Sequence, residues 1–313
     1  MKALWLENQE VSLKELRSPV PLPGEALLRT RLAGICNTDI ELLKGYMNFT
    51  GVPGHEFVAD VVECEDEALV GKRVIGDINA ACGHCRLCSL SMPAHCPART
   101  VLGIFNRQGC FADYFTLPVK NLVPIENNIR DFDAVFAEPL AAALQVTRQV
   151  QLPDRVLVVG DGKLGLLTAT VLRLSGVRVW LRGHHKKRLE IVRKLGVLGD
   201  PGGDFPLVVE CSGDPHGFTH SMRRVEPRGT LVLKTTCQQS PPTDLTPLVV
   251  NEITVVGSRC GPIEEALKWI PRRDVYETLS NIRGHVLPLE RGVEALRLAQ
   301  EPGVLKVLLD NNP

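Results

Sequence analysis

The chain has 313 residues, of which 44% are hydrophobic and 23% charged. That is enough apolar material for about two packed domains of ~100–200 residues, and it excludes a disordered polypeptide. Its 36 basic and 36 acidic residues cancel, so nothing points to a nucleic-acid partner or an anionic membrane surface.

The opening MKALWLENQE lacks the apolar core of a secretion signal, and no run reaches the roughly 18 uncharged apolar residues of a membrane span. Ten cysteines without an export signal predict a reducing, cytoplasmic setting, where clustered cysteines bind metal more often than they pair. Residues 1–60 read as short strands and turns, with weak alternation in ALLRTRLAGIC and clearer alternation in EFVADVVECE. GICNTD carries Cys36, Thr38 and Asp39, and VPGHEF carries His55 and Glu56. One thiolate, one imidazole and one carboxylate suit zinc. Residues 72–125 hold further strand-like pieces and a loop with Cys82, Cys85, Cys88 and Cys96 in the spacing C-x2-C-x2-C-x7-C. Four thiolates so close together favour a closed tetrahedral zinc site over two disulfides, with His84 and His95 as bystanders.

FAEPLAAAL places Glu138 inside an apolar run. A buried unpaired carboxylate is costly, so Glu138 is expected to face a cation or a hydrogen-bond donor. A catalytic zinc keeps one position open for water or substrate. Cys36 and His55 are therefore its expected ligands, completed by Glu56 or Glu138 and a water.

The texture changes near 153, after a linker expected at QLPD. VLVVGDGKLG sets Gly160, Gly162 and Gly165 as G-x-G-x-x-G between a strand and a helix, with Asp161, Lys163 and Leu164 between them. Gly160 permits the tight turn, Gly162 lets the backbone approach a pyrophosphate, and Gly165 allows close helix–strand packing. The next strand, VRVWLRG, ends in Arg182, Gly183, His184, His185, Lys186, Lys187 and Arg188, and no Asp or Glu lies between Gly162 and Leu189. An acid at that strand end would bond the free ribose 2′-hydroxyl of NAD; a basic run attracts a 2′-phosphate of about −1.5 to −2 charges instead. NADP(H) is therefore expected over NAD(H), with Arg182 as first contact, then His184 and Lys187. PLVVECSG, GTLVLKT and NEITVVGS add strands to a parallel sheet covered on both faces. After about 275, a helix in GVEALRLAQE and a strand in VLKVLLD are expected to return to the first domain.

Taken together, GICNTD, GHEF, the four-cysteine loop, EPLAAAL, VVGDGKLGL and NEITVVGS make the chain resemble the zinc-dependent medium-chain alcohol dehydrogenases, particularly their polyol, threonine and sugar dehydrogenase branch, over essentially its whole length. The resemblance implies an α/β protein: a GroES-like, β-rich catalytic domain at 1–150 and 275–313, a Rossmann doubly wound parallel-sheet domain at 151–274, and an active site in the cleft between them. It implies that Asp39 bonds the far nitrogen of His55, as a carboxylate orients a zinc-bound histidine, and that Thr38 bonds the substrate oxygen and relays its proton. Two features depart from the family. Many relatives carry His five residues after the first zinc cysteine, where this chain has Glu41; and the chain is shorter than most, with the shortfall expected around LGDPGGDFPLVVECSG and near the C-terminus.

The expected activity is hydride transfer between NADP(H) and a secondary alcohol, polyol or sugar, or the matching ketone or aldehyde, with one catalytic and one structural zinc. The expected partners are a small-molecule substrate and further copies of the chain in a homodimer or homotetramer, with no nucleic acid and no membrane. An NAD(H)-dependent polyol or threonine-type dehydrogenase, a zinc-free double-bond reductase and a non-catalytic cofactor-binding protein are the alternatives; Cys36, His55 and Glu56 argue against the zinc-free reductase. Tyr46, Phe49, Phe105 and Arg107 are pocket candidates by position alone.

Overall fold

The structure, a computed structural model, describes residues 1–237 and 242–312. Strands β1 (Lys2–Glu7) and β2 (Glu10–Glu15) form an antiparallel hairpin. Strand β3 (Glu25–Gly34) alternates buried and exposed positions and then becomes continuously buried toward Gly34. Helix α1 (Asn37–Leu43) and strands β4 (Glu56–Glu63) and β5 (Arg73–Gly76) follow. Strands β6 (Asn79–Ala80) and β7 (Thr100–Val101) pair around the cysteine loop, which holds the single turn α2 (Arg86–Ser89). Strands β8 (Tyr114–Pro118) and β9 (Leu122–Pro124) and helices α3 (Asp131–Ala134) and α4 (Ala137–Gln149) come next.

The cofactor-type region comprises β10 (Arg155–Val159), α5 (Lys163–Leu174), β11 (Arg178–Arg182), α6 (Lys186–Arg193), β12 (Leu198–Gly199), β13 (Phe205–Glu210), α7 (Gly217–Met222), β14 (Val225–Leu233), α8 (Thr246–Val250), β15 (Thr254–Gly257), α9 (Ile263–Trp269) and α10 (Arg273–Ile282). Its strands are all parallel in the order β12-β11-β10-β13-β14-β15. Read by sequence rank this is 3-2-1-4-5-6, the doubly wound dinucleotide-binding order, with its ligand crevice where the order reverses between β10 and β13. A parallel crossover normally takes a dozen or more residues and a helix. Here residues 200–204 alone join β12 to β13, within the stretch where the sequence looked short. Arg224 ties this link down, donating to both Asp200 oxygens at 2.7 Å and to the Gly203 carbonyl at 2.7 Å.

The chain then adds β16 (His285–Pro288), α11 (Gly292–Leu298) and β17 (Val307–Asp310). Strand β17 pairs antiparallel with β3, completing a seven-stranded sheet that runs β16-β17-β3-β4-β5-β9, with β8 also on β3. Its core holds Leu28, Leu32, Phe57, Phe111 and Phe115, with Phe57 and Phe115 edge to face at 4.9 Å.

Contacts divide the chain into one unit of Met1–Glu138 plus the residues from Arg283 onward, and a second of Pro139–Ile282. The sequence suggested breaks after 150 and 274. Most of α4 instead belongs with the parallel sheet's unit: a Cβ on Gly261 would lie 1.9 Å from the Ala141 carbonyl, and Arg148 pairs with Glu265. Helix α10 belongs there too, with Thr278 3.3 Å from Thr170 of α5.

A Cβ on Gly165 would sit 1.9 Å from the Gly160 carbonyl, whereas one on Gly162 would meet nothing within 4 Å. Gly165→Ala is therefore expected to lose about 1–3 kcal/mol or more in urea unfolding, while Gly162→Ala stays within about 0.5 kcal/mol of the parent.

Candidate active site

Cys36 is the N-cap of α1 and Asp39 its third helical residue. The Cys36 N–H donates to Asp39 Oδ2 at 2.8 Å, closing the first turn. The other oxygen, Oδ1, faces Nδ1 of buried His55 at 3.3 Å as a charge pair without a formed hydrogen bond, so one carboxylate bonds the Cys36 backbone and stands against an imidazole. His55 follows Gly54, whose φ of +96° and whose position against Phe111, 2.3 Å from a Cβ, leave room only for glycine. The Cys36, His55 and Glu56 ligand atoms lie within 4.8 Å of one another. Thr38 Oγ1 is 3.8 Å from the Cys36 sulfur.

Glu56 opens β4 directly opposite Gly34 of β3, and Gly34 also pairs with Leu308 of β17. Strands on both sides of β3 thus bring Glu56 and Lys306 together over Gly34. A Cβ there would lie 2.5 Å from Glu56 Oε2 and 2.8 Å from Lys306 Nζ. Both side chains are fully buried and form an ion pair; Lys306 also donates to the Ile35 carbonyl at 3.1 Å and lies 5.6 Å from the Phe136 ring centroid. Glu56 Oε1 is buried with no hydrogen-bond partner among the described residues. A soft sulfur on half-buried Cys36, a nitrogen and an unsatisfied carboxylate oxygen on buried His55 and Glu56 fit a zinc ion.

Burial disfavours the His55 imidazolium, but the Asp39 carboxylate and then the Cys36 sulfur outweigh it and hold the His55 pKa well above its ordinary value. Burial pushes the Glu138 carboxyl up to about 7; His55 opposes that shift and Glu56 adds to it. Glu138 therefore lies near the group without being one of its three clustered ligands. Glu41 is buried and accepts from Lys44 Nζ at 2.7 Å. Arg107 donates to Glu25, Thr100 and the Thr116 carbonyl, an internal tie, while Tyr46, Phe49 and Phe105 are half-buried.

The four loop sulfurs gather at 3.5 Å for Cys85–Cys88 and Cys82–Cys96, 3.8 Å for Cys85–Cys96 and 4.0 Å for Cys82–Cys88. A zinc tetrahedron with bonds of about 2.3 Å has edges of about 3.8 Å, so the cage fits. All four thiols are free. The backbone N–H groups of His84 and Cys85 lower the Cys82 pKa to about 6, which favours the thiolate that a metal needs. The His84 ring faces the Cys82 carbonyl at 3.0 Å, and neither His84 nor His95 is part of the cluster.

In the glycine turn, Gly160 has φ of +111°, and a Cβ there would strike the Cys211 carbonyl at 2.5 Å. The open space beside Gly162 and the start of α5 at Lys163, followed by Leu164, fit a pyrophosphate at a helix N-terminus. At the end of β11, Arg182 and His184 are exposed, and Arg182 reaches Asp200 at 3.5 Å. Lys187 lines a groove of about 400 Å³ with Lys194, Asp274, Glu277 and Asn281. Sequence reasoning missed Lys306, although a lone cation in VLKVLLD is the same kind of signal as Glu138 in its apolar run. It also missed the contacts of Asp161.

In metal-free protein, Lys306→Met leaves Glu56 as a buried charge without its partner. It is expected to cost about 3–5 kcal/mol in urea unfolding, and adding Glu56→Gln should recover part of that loss.

Residues 22–127 match the alcohol dehydrogenase GroES-like domain. The L-threonine 3-dehydrogenase of Streptomyces avermitilis is 31% identical over 291 residues, covering 82% of this chain and 83% of that protein. The crystal structure of a short chain alcohol dehydrogenase, rspB, from Escherichia coli CFT073 complexed with NADH superposes with a TM-score of 0.87 at 26% identity, covering 99% of both chains. A zinc-binding dehydrogenase from Sinorhizobium meliloti 1021 bound to NADP superposes with a TM-score of 0.84 at 26% identity, covering 99% of this chain and 98% of that one. With the doubly wound sheet, the GroES-like match and these relatives together, the chain belongs to the zinc-dependent medium-chain dehydrogenase/reductase family, in its polyol and threonine dehydrogenase branch.

Proposed function

We propose that this oxidoreductase transfers hydride between a secondary alcohol, polyol or sugar and NADP(H), at a zinc held by Cys36, His55 and Oε1 of Glu56. The convergence of those three ligands, with a carboxylate oxygen left unsatisfied, carries the reading. Zinc, when bound, supplies Lewis acidity to the substrate oxygen. The nicotinamide supplies or accepts the hydride. Asp39 fixes His55 through Nδ1 and leaves the other ring nitrogen for the metal. Lys306 balances the charge of Glu56 and keeps it at the end of β4. The Thr38 hydroxyl, beside the Cys36 sulfur, accepts the substrate proton and passes it outward. Glu138 stays beside this group as a carboxyl whose pKa burial raises to about 7.

Cys82, Cys85, Cys88 and Cys96 hold the second, structural zinc. Arg182 and His184, exposed at a strand end without its own acid, support NADP(H); Lys187, lining the groove beside α10, is a weaker candidate. The chain works in the cytoplasm, in keeping with ten free thiols, and among the described residues no helix is long and apolar enough to cross a membrane. A second copy covers the edge strand β15 and helix α8, where Val249 and Val250 are 77% and 72% exposed and Val255 is 38% exposed.

Cys36→Ser is expected to remove one zinc per chain and to cut turnover at least about 100-fold, while Cys88→Ser removes the other zinc and lowers the melting temperature. Full activity after loss of the Cys36 zinc would sink the assignment. A screen of alcohols, polyols and sugars with NADP and NAD identifies the substrate. Val255→Lys should shift the oligomer toward monomer in light scattering.

A further inference from the structure

The end of β11 lacks an acid in sequence, yet a carboxylate stands there in space. It is Asp161, the second residue of the glycine turn, buried at 7% exposure. A Cβ on Gly183 would fall 2.3 Å from Asp161 Cβ and 2.5 Å from its Oδ2. The Asp161 side chain therefore occupies the space where a residue at 183 would begin its own side chain. That is the position from which an acid reads the adenosine ribose in this fold.

Its two oxygens are engaged unequally. Oδ2 accepts from the His185 backbone N–H at 2.7 Å and stands 3.1 Å from the His185 ring. Among the described residues Oδ1 has only long contacts, 3.3 Å to that ring and 3.4 Å to Arg188 Nη1. Burial alone would raise the Asp161 pKa, but the His185 backbone and ring and then Arg188 outweigh it and hold the carboxyl below its ordinary range. The group is thus an anion with one well-anchored oxygen and one weakly satisfied oxygen. A hydroxyl bonding a carboxylate settles at about 2.5–2.7 Å, closer than anything Oδ1 now meets. Beside it, Gly162 leaves open space.

We propose that Asp161 is the acid that accepts the adenosine-ribose 2′-hydroxyl of NAD(H) in this chain, delivered from the glycine turn in place of the side chain Gly183 lacks. This rests on the dinucleotide site described above. The same pocket then carries an acceptor for the free hydroxyl and the basic residues Arg182 and His184 for a 2′-phosphate. NADH and NADPH both bind, and Asp161 sets their ratio.

Titrating zinc-loaded protein with NADH and with NADPH, followed by nicotinamide fluorescence, tests this without turnover. Asp161→Asn keeps the shape and an acceptor for the His185 N–H but loses the charge. It is expected to raise the NADH Kd about tenfold while the NADPH Kd holds or falls. Gly183→Ala, which pushes the carboxylate aside, should shift the ratio the same way, with thermal midpoints showing that both variants are folded. An unchanged NADH Kd in Asp161→Asn, or equal weakening of both cofactors, overturns the proposal. The parent's own ratio is a separate reading: tighter NADH than NADPH would defeat the NADP(H) preference and leave the assignment of Asp161 standing.

Discussion

The buried pair of Glu56 and Lys306 is the constraint on which the metal-type site depends. Two opposite charges out of water are tolerable only when each is held and satisfied. Lys306 achieves this with the Glu56 carboxylate, the Ile35 carbonyl and the Phe136 ring face. The two residues reach each other because β4 and β17 flank β3, and because Gly34 between them has no side chain. The glutamate next to His55 is thus fixed in direction, with one oxygen committed to the lysine and the other without a hydrogen-bond partner among the described residues.

Asp39 plays the corresponding part for Cys36 and His55. One oxygen closes the first turn of α1 at Cys36, and the other meets the imidazole of His55. A local helix cap and a contact across 16 positions of sequence are served by one side chain. The cluster therefore needs no long loop to assemble it. The rigid elements are α1 and the end of β4, and His55 is delivered by a glycine turn packed on Phe111. The four-cysteine cage is different in kind: its sulfurs lie within one loop, and backbone N–H groups near Cys82 and Cys85 favour their thiolates.

In the dinucleotide-type unit, economy shows in the short link from β12 to β13. With no crossover helix between β12 and β13, few residues hold that turn, and Arg224 supplies three bonds to it. Asp200, which accepts from Arg224, also draws on Arg182, so the trimmed link and the cofactor-facing strand end share one carboxylate. The glycine turn likewise carries the carboxylate under Gly183.

Much was legible in the sequence because it is local. The G-x-G-x-x-G turn, the cysteine spacing, the strand and helix periodicities and the ligand types Cys36 and His55 are set within a few residues, where sterics and donor chemistry act directly. Glu138 stood out because a lone acid in an apolar run has few explanations. Other features depend on pairings that spacing along the chain does not encode. The partner of Glu56 lies 250 positions away and is brought in by strand order. Asp161 counts as part of a turn in sequence and as the missing acid of β11 only in space, because a parallel pairing sets the first strand's turn against the second strand's end. The unit boundaries at 138 and 282 follow from the packing of α4 and α10 rather than from the QLPD linker. Sequence by itself determined which chemical groups were present and which local turns they sat on; tertiary structure decided which charges met, because only strand order and the absence of a side chain at Gly34 and Gly183 bring those groups within bonding distance.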